Sequence, residues 1–332
     1  MKTLGYRLKV FGVVLLSVCV VNVPAVSAGA SEEYPSRDIQ FIVPFRPGGG
    51  LDIQSRLLTP YVTRYLPRQV NIIVVNESAA GGKVGALKVM VARPDGYTLG
   101  LLPPTQLGVL DVLGELGRRD PAGLVYFSRV GYAPYMLVRS ARSRFRSIAD
   151  MRGQEVRFGG TTAVIFQAAL LSQLMGTKMT FVTYDGLPET ALATMRGDVD
   201  VFFFNWDSTI RHLRASEGRL LPLMVAAPSR LPELGDVPTA REAGLTLSPG
   251  VLDTMAAGNM VVAQAALPPT VKGTLEQAVT KAMADAALEG ELQKAGYSAR
   301  PVLSPAETRA TAVRVYETIR QYKDLLLASV RR

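Results

Sequence analysis

The chain has 332 residues, with 37 basic and 28 acidic side chains, one cysteine and one histidine. That inventory excludes a disulfide-stapled scaffold and a histidine-rich zinc site, and a chain of this length buries enough apolar surface to need no staples. Three of the 37 cations lie in the N-terminal leader, so 34 basic residues face 28 acidic ones in the remainder. They are spread along the chain, with no basic run interleaved with aromatics, so no nucleic-acid partner is expected; a preference for small anions is compatible with the excess.

The N-terminus carries Lys2, Arg7 and Lys9, then an apolar run over residues 10–21, then Val26-Ser27-Ala28 before Gly29. This is the layout of a signal peptide over residues 1–28, cleaved after Ala28 or after Ala30, and it implies export. The run is shorter than the roughly 20 residues of a membrane span and is closed by Asn22 and Pro24. Cys19 lies inside it, preceded by Val18 where a lipoprotein box needs a small residue, so the mature chain keeps no cysteine.

From residue 39 to 102 the pattern reads strand, helix, strand, helix, strand. QFIVPF and NIIVVN are unbroken apolar runs, as expected of strands buried on both faces of a parallel sheet. Between them Ile53, Leu57, Tyr61, Val62, Tyr65 and Leu66 recur at helical spacing, with Pro60 expected to kink or divide the helix. A second helix covers residues 83–92, and a PDG turn leads into YTLGLL. A second βα series follows: VRFGG, a helix over 165–174, KMTFVTY, a helix over 189–195, VDVFFF, a helix over 208–215, and LLPLMVA. Two such series predict two α/β lobes. The amphipathic stretches 271–288 and 305–327 have no accompanying strands and are expected to pack on the first lobe. The chain then crosses between lobes near 132–138 and near 254–263, which makes a hinge and a cleft.

In VPFRPGGGLD, Gly48, Gly49 and Gly50 lie between a buried strand and a helix start. There, backbone N–H groups at a positive helix end can cradle an anion, or the glycines supply only the freedom for a tight turn. Asp52 is either a helix cap or a ligand contact. GGKVG lacks the Ser or Thr of a phosphate loop, and the glycine spacing is not that of a dinucleotide fold, so no nucleotide cofactor is expected. No G-x-S-x-G or H-E-x-x-H occurs, and His212, beside Arg211 and Arg214, reads as a solvated surface residue. No catalytic residue, metal or cofactor is assigned.

Ligands in open α/β sheets lie beyond the carboxyl ends of the strands. Here those ends are segments 48–52, 76–82, 103–106, 159–162, 184–186 and 205–207. The candidate contacts in the first lobe are Phe45, Gly48, Gly49, Gly50, Asp52, Ala80, Gly81 and Thr105. Those in the second lobe are Thr161, Thr162, Tyr184, Asp185, Asn205 and Trp206.

The ordered set YPSRDIQFIVPFRPGGGLD, VNESAAGGKVGA, RPDGYTL, RGDVDVFFFN and LPELGDVPTAREAGL, closed by helices after LPPTV, resembles the Bug-type extracytoplasmic receptors of tripartite tricarboxylate transporters. The resemblance implies a two-lobed periplasmic binding protein of type II-like architecture, each lobe a mainly parallel sheet flanked by helices. It implies lobe 1 from residues 31–136 plus 252–332, lobe 2 from 137–251, and a monomer that delivers a small carboxylate to membrane permease subunits. It also implies that loops 47–52 and 79–83 hold the carboxylate through backbone groups and water. A secreted enzyme or ligand sensor on the same scaffold is the alternative. Three departures bear on the ligand: GGTTAV replaces a Ser/Gly-rich loop, Asp185 stands where a lysine is usual, and Phe204 where an acid is frequent. Without that lysine the expected ligand is a monocarboxylate whose far end is aromatic, apolar or amine-bearing, facing Phe204, Trp206 and Asp185.

Overall fold

A computed structural model describes residues 33–161, 164–256, 258–297 and 301–330. The expected signal peptide, Cys19 and Thr162 lie outside the described residues. The chain opens with β1 (Ile39–Val43), α1 (Gly50–Arg64), β2 (Ile72–Asn76), α2 (Lys83–Met90), β3 (Thr98–Leu102), α3 (Pro104–Val112) and β4 (Val125–Val130). It continues with β5 (Tyr135–Ser140), β6 (Glu155–Gly160), α4 (Ile165–Met175), β7 (Lys178–Thr183), α5 (Leu187–Arg196), β8 (Val201–Asn205), α6 (Trp206–Ala215) and β9 (Leu220–Val225). It ends with α7 (Pro249–Thr254), β10 (Asn259–Ala263), α8 (Pro269–Ala284), α9 (Ala286–Lys294), α10 (Pro305–Gln321) and α11 (Lys323–Val330).

Two five-stranded sheets result, ordered β2-β1-β3-β10-β4 and β7-β6-β8-β5-β9. In the first, β1 runs parallel to β2 and β3, and β10 runs antiparallel to β3 and β4. In the second, β6 runs parallel to β7 and β8, and β5 runs antiparallel to β8 and β9. The expected two α/β lobes are therefore present, each with a mixed sheet.

Several local expectations change. α1 runs through Pro60 as one helix. Pro60 is exposed while Leu58, Tyr61 and Val62 are buried, so the carbonyl left without its donor faces water. NIIVVN is an edge strand, and Ile73 is 48% exposed. Both long C-terminal stretches are divided. Asp285 ends α8 and caps α9 by accepting the Ala287 N–H at 2.9 Å. Ser304 opens α10 in a reciprocal capping box with Glu307, and Tyr322 closes it.

One face of the first sheet buries Ile39, Phe41, Val43, Leu99 and Leu101 against Leu58 and Val62 of α1 and Leu275 and Val279 of α8. On the other face a cluster containing Ile42, Leu102, Leu107 and Tyr316 continues into the second lobe through Leu326, Phe166 and Phe158. α8, α9 and α10 pack on first-lobe elements as expected, but α11 packs on α4 of the second lobe. Among the described residues the chain thus crosses three times: between β4 and β5, between β9 and β10, where α7 packs on α10, and at Tyr322. The first two crossings touch, since a Cβ at Gly258 (φ +69°) would collide with the Gly131 carbonyl.

Candidate functional site: the strand ends between two lobes

Strand direction decides where the cleft lies. Val43 pairs with Asn76, Leu102 with Met260, and Asn259 with Val130, so the carboxyl ends of β1 to β4 share one edge. On the other side of the crossover Tyr135 pairs with Asn205, so β5 starts at the carboxyl end of β8. The short segment between Val130 and Tyr135 therefore joins the carboxyl ends of the two sheets, and their loops face a common space. The Trp206 N–H donates to the Pro134 carbonyl at 3.0 Å, and the Tyr135 N–H to that of Met255 at 2.8 Å, fastening the second lobe to both crossings.

Three loops meet at the first-lobe edge. Asn76 Nδ2 donates to the Phe45 carbonyl at 3.0 Å, Arg56 to Asn76 Oδ1 at 3.3 Å, and Gln106 Nε2 to the Gly81 carbonyl at 2.7 Å. Gly48 has φ +80°, and its N–H donates to Asp52 Oδ2 at 2.8 Å. Gly49 has an ordinary φ of −77°, is exposed, and precedes α1 as its cap residue. Gly50 faces the Tyr297 ring: a Cβ there would stand 3.4 Å from the phenol oxygen.

Ala80, Gly81 and Gly82 follow one another in the left-handed region, at φ 51°, 64° and 87°. Such a run is uncommon, and at Ala80 it costs about 1–2 kcal/mol. Gly82 is required by packing as well, because a Cβ would strike the Pro44 carbonyl.

Asp52 is buried and is not the cap of α1. The cap residue of α1 is Gly49, which caps with no side-chain hydrogen bond, and the Asp52 carboxylate is used within its own loop. Oδ2 accepts from Gly48 and from Arg56 Nε at 3.1 Å. Arg56 Nη2 lies 2.9 Å from Oδ1, although not aligned as a hydrogen bond to it. Burial alone would raise the Asp52 pKa; donors from Arg56, Gly48 and Asn76 overcome it and hold the carboxyl below its ordinary value.

The helices that follow the parallel strands share a feature. α1, α2 and α3, and α4, α5 and α6 in the second lobe, all begin with no side-chain cap. α7, α9 and α10 are capped by Ser248, Asp285 and Ser304. α8, after the antiparallel strand β10, is uncapped as well, and in α6 the Trp206 and Ser208 N–H groups already have acceptors, so the free N–H groups and positive dipole ends at the strand ends come chiefly from α1 to α5.

Of the remaining candidates, Thr105 is half-buried in the first turn of α3, and Thr161 is half-buried after β6. Tyr184 is half-buried beside Gly159, and Asp185 is exposed, its N–H donating to Glu189 at 3.1 Å. Asn205 ends β8 and donates to Asp207 and Ser208. Phe204 and Trp206 are buried and pack with Met136, Val138 and Leu220 in a second-lobe cluster. His212 is half-buried, and burial, with help from Arg211, lowers its pKa. Asn76 and Gln106, which tie the loops, and Asp207 lie in the expected strand-end segments without being among the candidate contacts, and Tyr297 lies outside those segments. Burial raises the Asp207 pKa to about 6 against donors from Ser208 and Asn205.

Two α/β lobes joined at the carboxyl ends of their strands are the architecture of a solute-binding protein. The family model described as tripartite tricarboxylate transporter family receptor matches residues 62–302, and the chain belongs to that family. Protein BugT of Bordetella pertussis is 30% identical over 228 residues, 65% of this chain and 68% of that protein. A UPF0065 protein of Bordetella bronchiseptica is 28% identical over 287 residues, 82% of this chain and 81% of the relative. Among solved structures, a TctC solute-binding protein from Polaromonas superposes with a TM-score of 0.72 at 23% identity, covering 89% of this chain and 99% of its own. MatC of Rhodopseudomonas palustris, solved with bound malate, superposes at 0.67 and 25% identity, covering 88% of this chain and all of its own (100%). The family is one of solute-binding receptors.

Proposed function

We propose that the chain is exported by its first 28 residues and works in the periplasm as a monomer. It captures a small carboxylate-bearing ligand between lobes 31–136 plus 252–332 and 137–251, with α11 seated on the second of these. It hands that ligand to the permease subunits of a tripartite tricarboxylate-type transporter. The observation that carries this reading is the set of uncapped helix starts at the strand ends, three of them behind the tied loops 44–49, 77–82 and 103–104. A carboxylate placed there meets N–H donors and positive dipole ends without needing a formal cation. The left-handed run at Ala80 supports the reading, because strained backbone persists where a function needs its shape. Malate bound to MatC supports a carboxylate as the ligand class.

The test is mass spectrometry of ligand released from natively purified protein, followed by thermal shift with mono-, di- and tricarboxylates. The expected result is a small carboxylate that stabilises the fold by about 2.7 kcal/mol at a hundredfold excess over its Kd and is recovered unchanged. A ligand that is chemically converted would favour the enzyme alternative, and no response to any carboxylate would refute the receptor reading.

A further inference from the structure

Only two carboxylates of the described residues are buried, Asp52 and Asp207, each 3% exposed. Asp52 is paired with Arg56. Asp207 has no ion pair among the described residues. Its donors, Asn205 Nδ2, the Ser208 N–H at 2.6 Å and Ser208 Oγ at 3.4 Å, all go to Oδ1. None of the described donors reaches Oδ2.

Asp207 also stands at the cleft. It lies two residues past the end of β8, in the first turn of α6, beside the crossover residue Tyr135. Across the lobes its charge acts on Tyr297, the residue whose ring faces Gly50 of the glycine loop. The titratable groups around it are Tyr135 from β5, Tyr297 from the segment after α9, and Arg211 one turn along α6. Both phenols have raised pKa values, chiefly from burial, and stay neutral; Arg211 is exposed. A buried acid facing neutral phenols, with one oxygen unclaimed, is an expensive arrangement for a binding cleft unless a ligand supplies the missing charge.

We propose that Asp207 is the specificity residue of the second lobe, and that the cleft takes a zwitterion, with its carboxylate at the glycine loops and its cationic end on Asp207 Oδ2. The proposal rests on the carboxylate-receptor reading above and moves the amine partner from exposed Asp185 to buried Asp207.

The sign of the pH dependence separates this ligand class from its competitors. A ligand cation favours ionised Asp207 and competes with its proton. Affinity for a zwitterion therefore falls on acidification through the Asp207 pKa of about 6, approaching tenfold per pH unit below it. A dicarboxylate behaves oppositely, because ionised Asp207 repels its second carboxylate and protonation removes the repulsion.

The experiment is calorimetric titration at pH 7.5, 6.5 and 5.5 with β-alanine, γ-aminobutyrate and 5-aminovalerate, beside succinate, glutarate, adipate and butyrate. It is run on the wild type and on Asp207→Asn, with Trp206 fluorescence as a second readout. The expected result is that an ω-amino acid binds at least tenfold more tightly than the dicarboxylate of matching length at pH 7.5, and that its affinity falls on acidification. Asp207→Asn should remove that preference and flatten the pH profile. The wild-type profile stands by itself should the variant fold poorly. Dicarboxylates binding best at pH 7.5, or an amino-acid affinity unchanged in Asp207→Asn, would overturn the Asp207 proposal while leaving the receptor reading intact. No binding by any of the seven compounds would also overturn the Asp207 proposal, while the receptor reading stands or falls on the released-ligand test above.

Discussion

The backbone N–H of Gly48 donates to Asp52 Oδ2 at 2.8 Å, so the glycine loop and the first turn of α1 hold each other in place. Asp52→Ala leaves that donor and the Arg56 guanidinium without their acceptor. The expected loss is about 1–2 kcal/mol of stability, with the half-exposed arginine contributing little of it. Because the folded carboxyl titrates below its ordinary 3.8, its contribution is complete at pH 7 and is lost as pH falls through the folded value. Melting curves of parent and variant should therefore differ at pH 7 and converge toward pH 2.

Gly49 provides the cleaner test of the carboxylate site. Its φ is ordinary, and an added Cβ would press only on the Arg46 carbonyl at 3.3 Å, a contact an exposed loop can relax. Gly49→Val should fold, with a stability change within about 1 kcal/mol, yet lose ligand binding because a branched side chain fills the anion's place. Calorimetry with the released ligand checks this, and a variant that binds like the parent would make the loop an ordinary turn.

Gly81 and Gly82 should respond differently to the same change. Gly81 has open space around it, so Gly81→Ala carries only the left-handed penalty, about 1 kcal/mol. Gly82→Ala adds a collision with the Pro44 carbonyl and should cost on the order of 3 kcal/mol or more. Chemical denaturation of the two variants measures the difference.

Leu326 of α11 is fully buried. Leu326→Ala should cost about 2–5 kcal/mol and loosen the helix from α4. Hydrogen exchange should show protection falling in α4 and α11 while β1 and β3 keep theirs, an outcome that a uniform loss of protection would contradict.

How far the fold can be read from the sequence depends on how local its causes are. The parallel strands were legible because double burial writes unbroken apolar runs, although NIIVVN shows that such a run does not separate a central strand from an edge. β4 was not recognisable: it buries Ser128 and Arg129, whose donors reach the carbonyls of Leu303 and Pro301 far along the chain at 3.4 and 3.0 Å. α3 was hidden because Pro103-Pro104 reads as a turn, whereas Pro104 occupies the first helical position. At the site the glycine loops announce themselves by composition. Asp207 does not, since an acid in a helix's first turn is ordinary until Tyr135 and Tyr297 are placed around it.

The position of β10 has a consequence for biosynthesis. It lies between β3 and β4, so the first sheet has an empty slot until residues 259–263 leave the ribosome. The second sheet needs only the continuous stretch from β5 to β9. The lobe that begins first in the chain is therefore completed last, around a second lobe already able to form. Until then the unpaired edges of β3 and β4 are the surfaces that most need shielding from neighbouring chains.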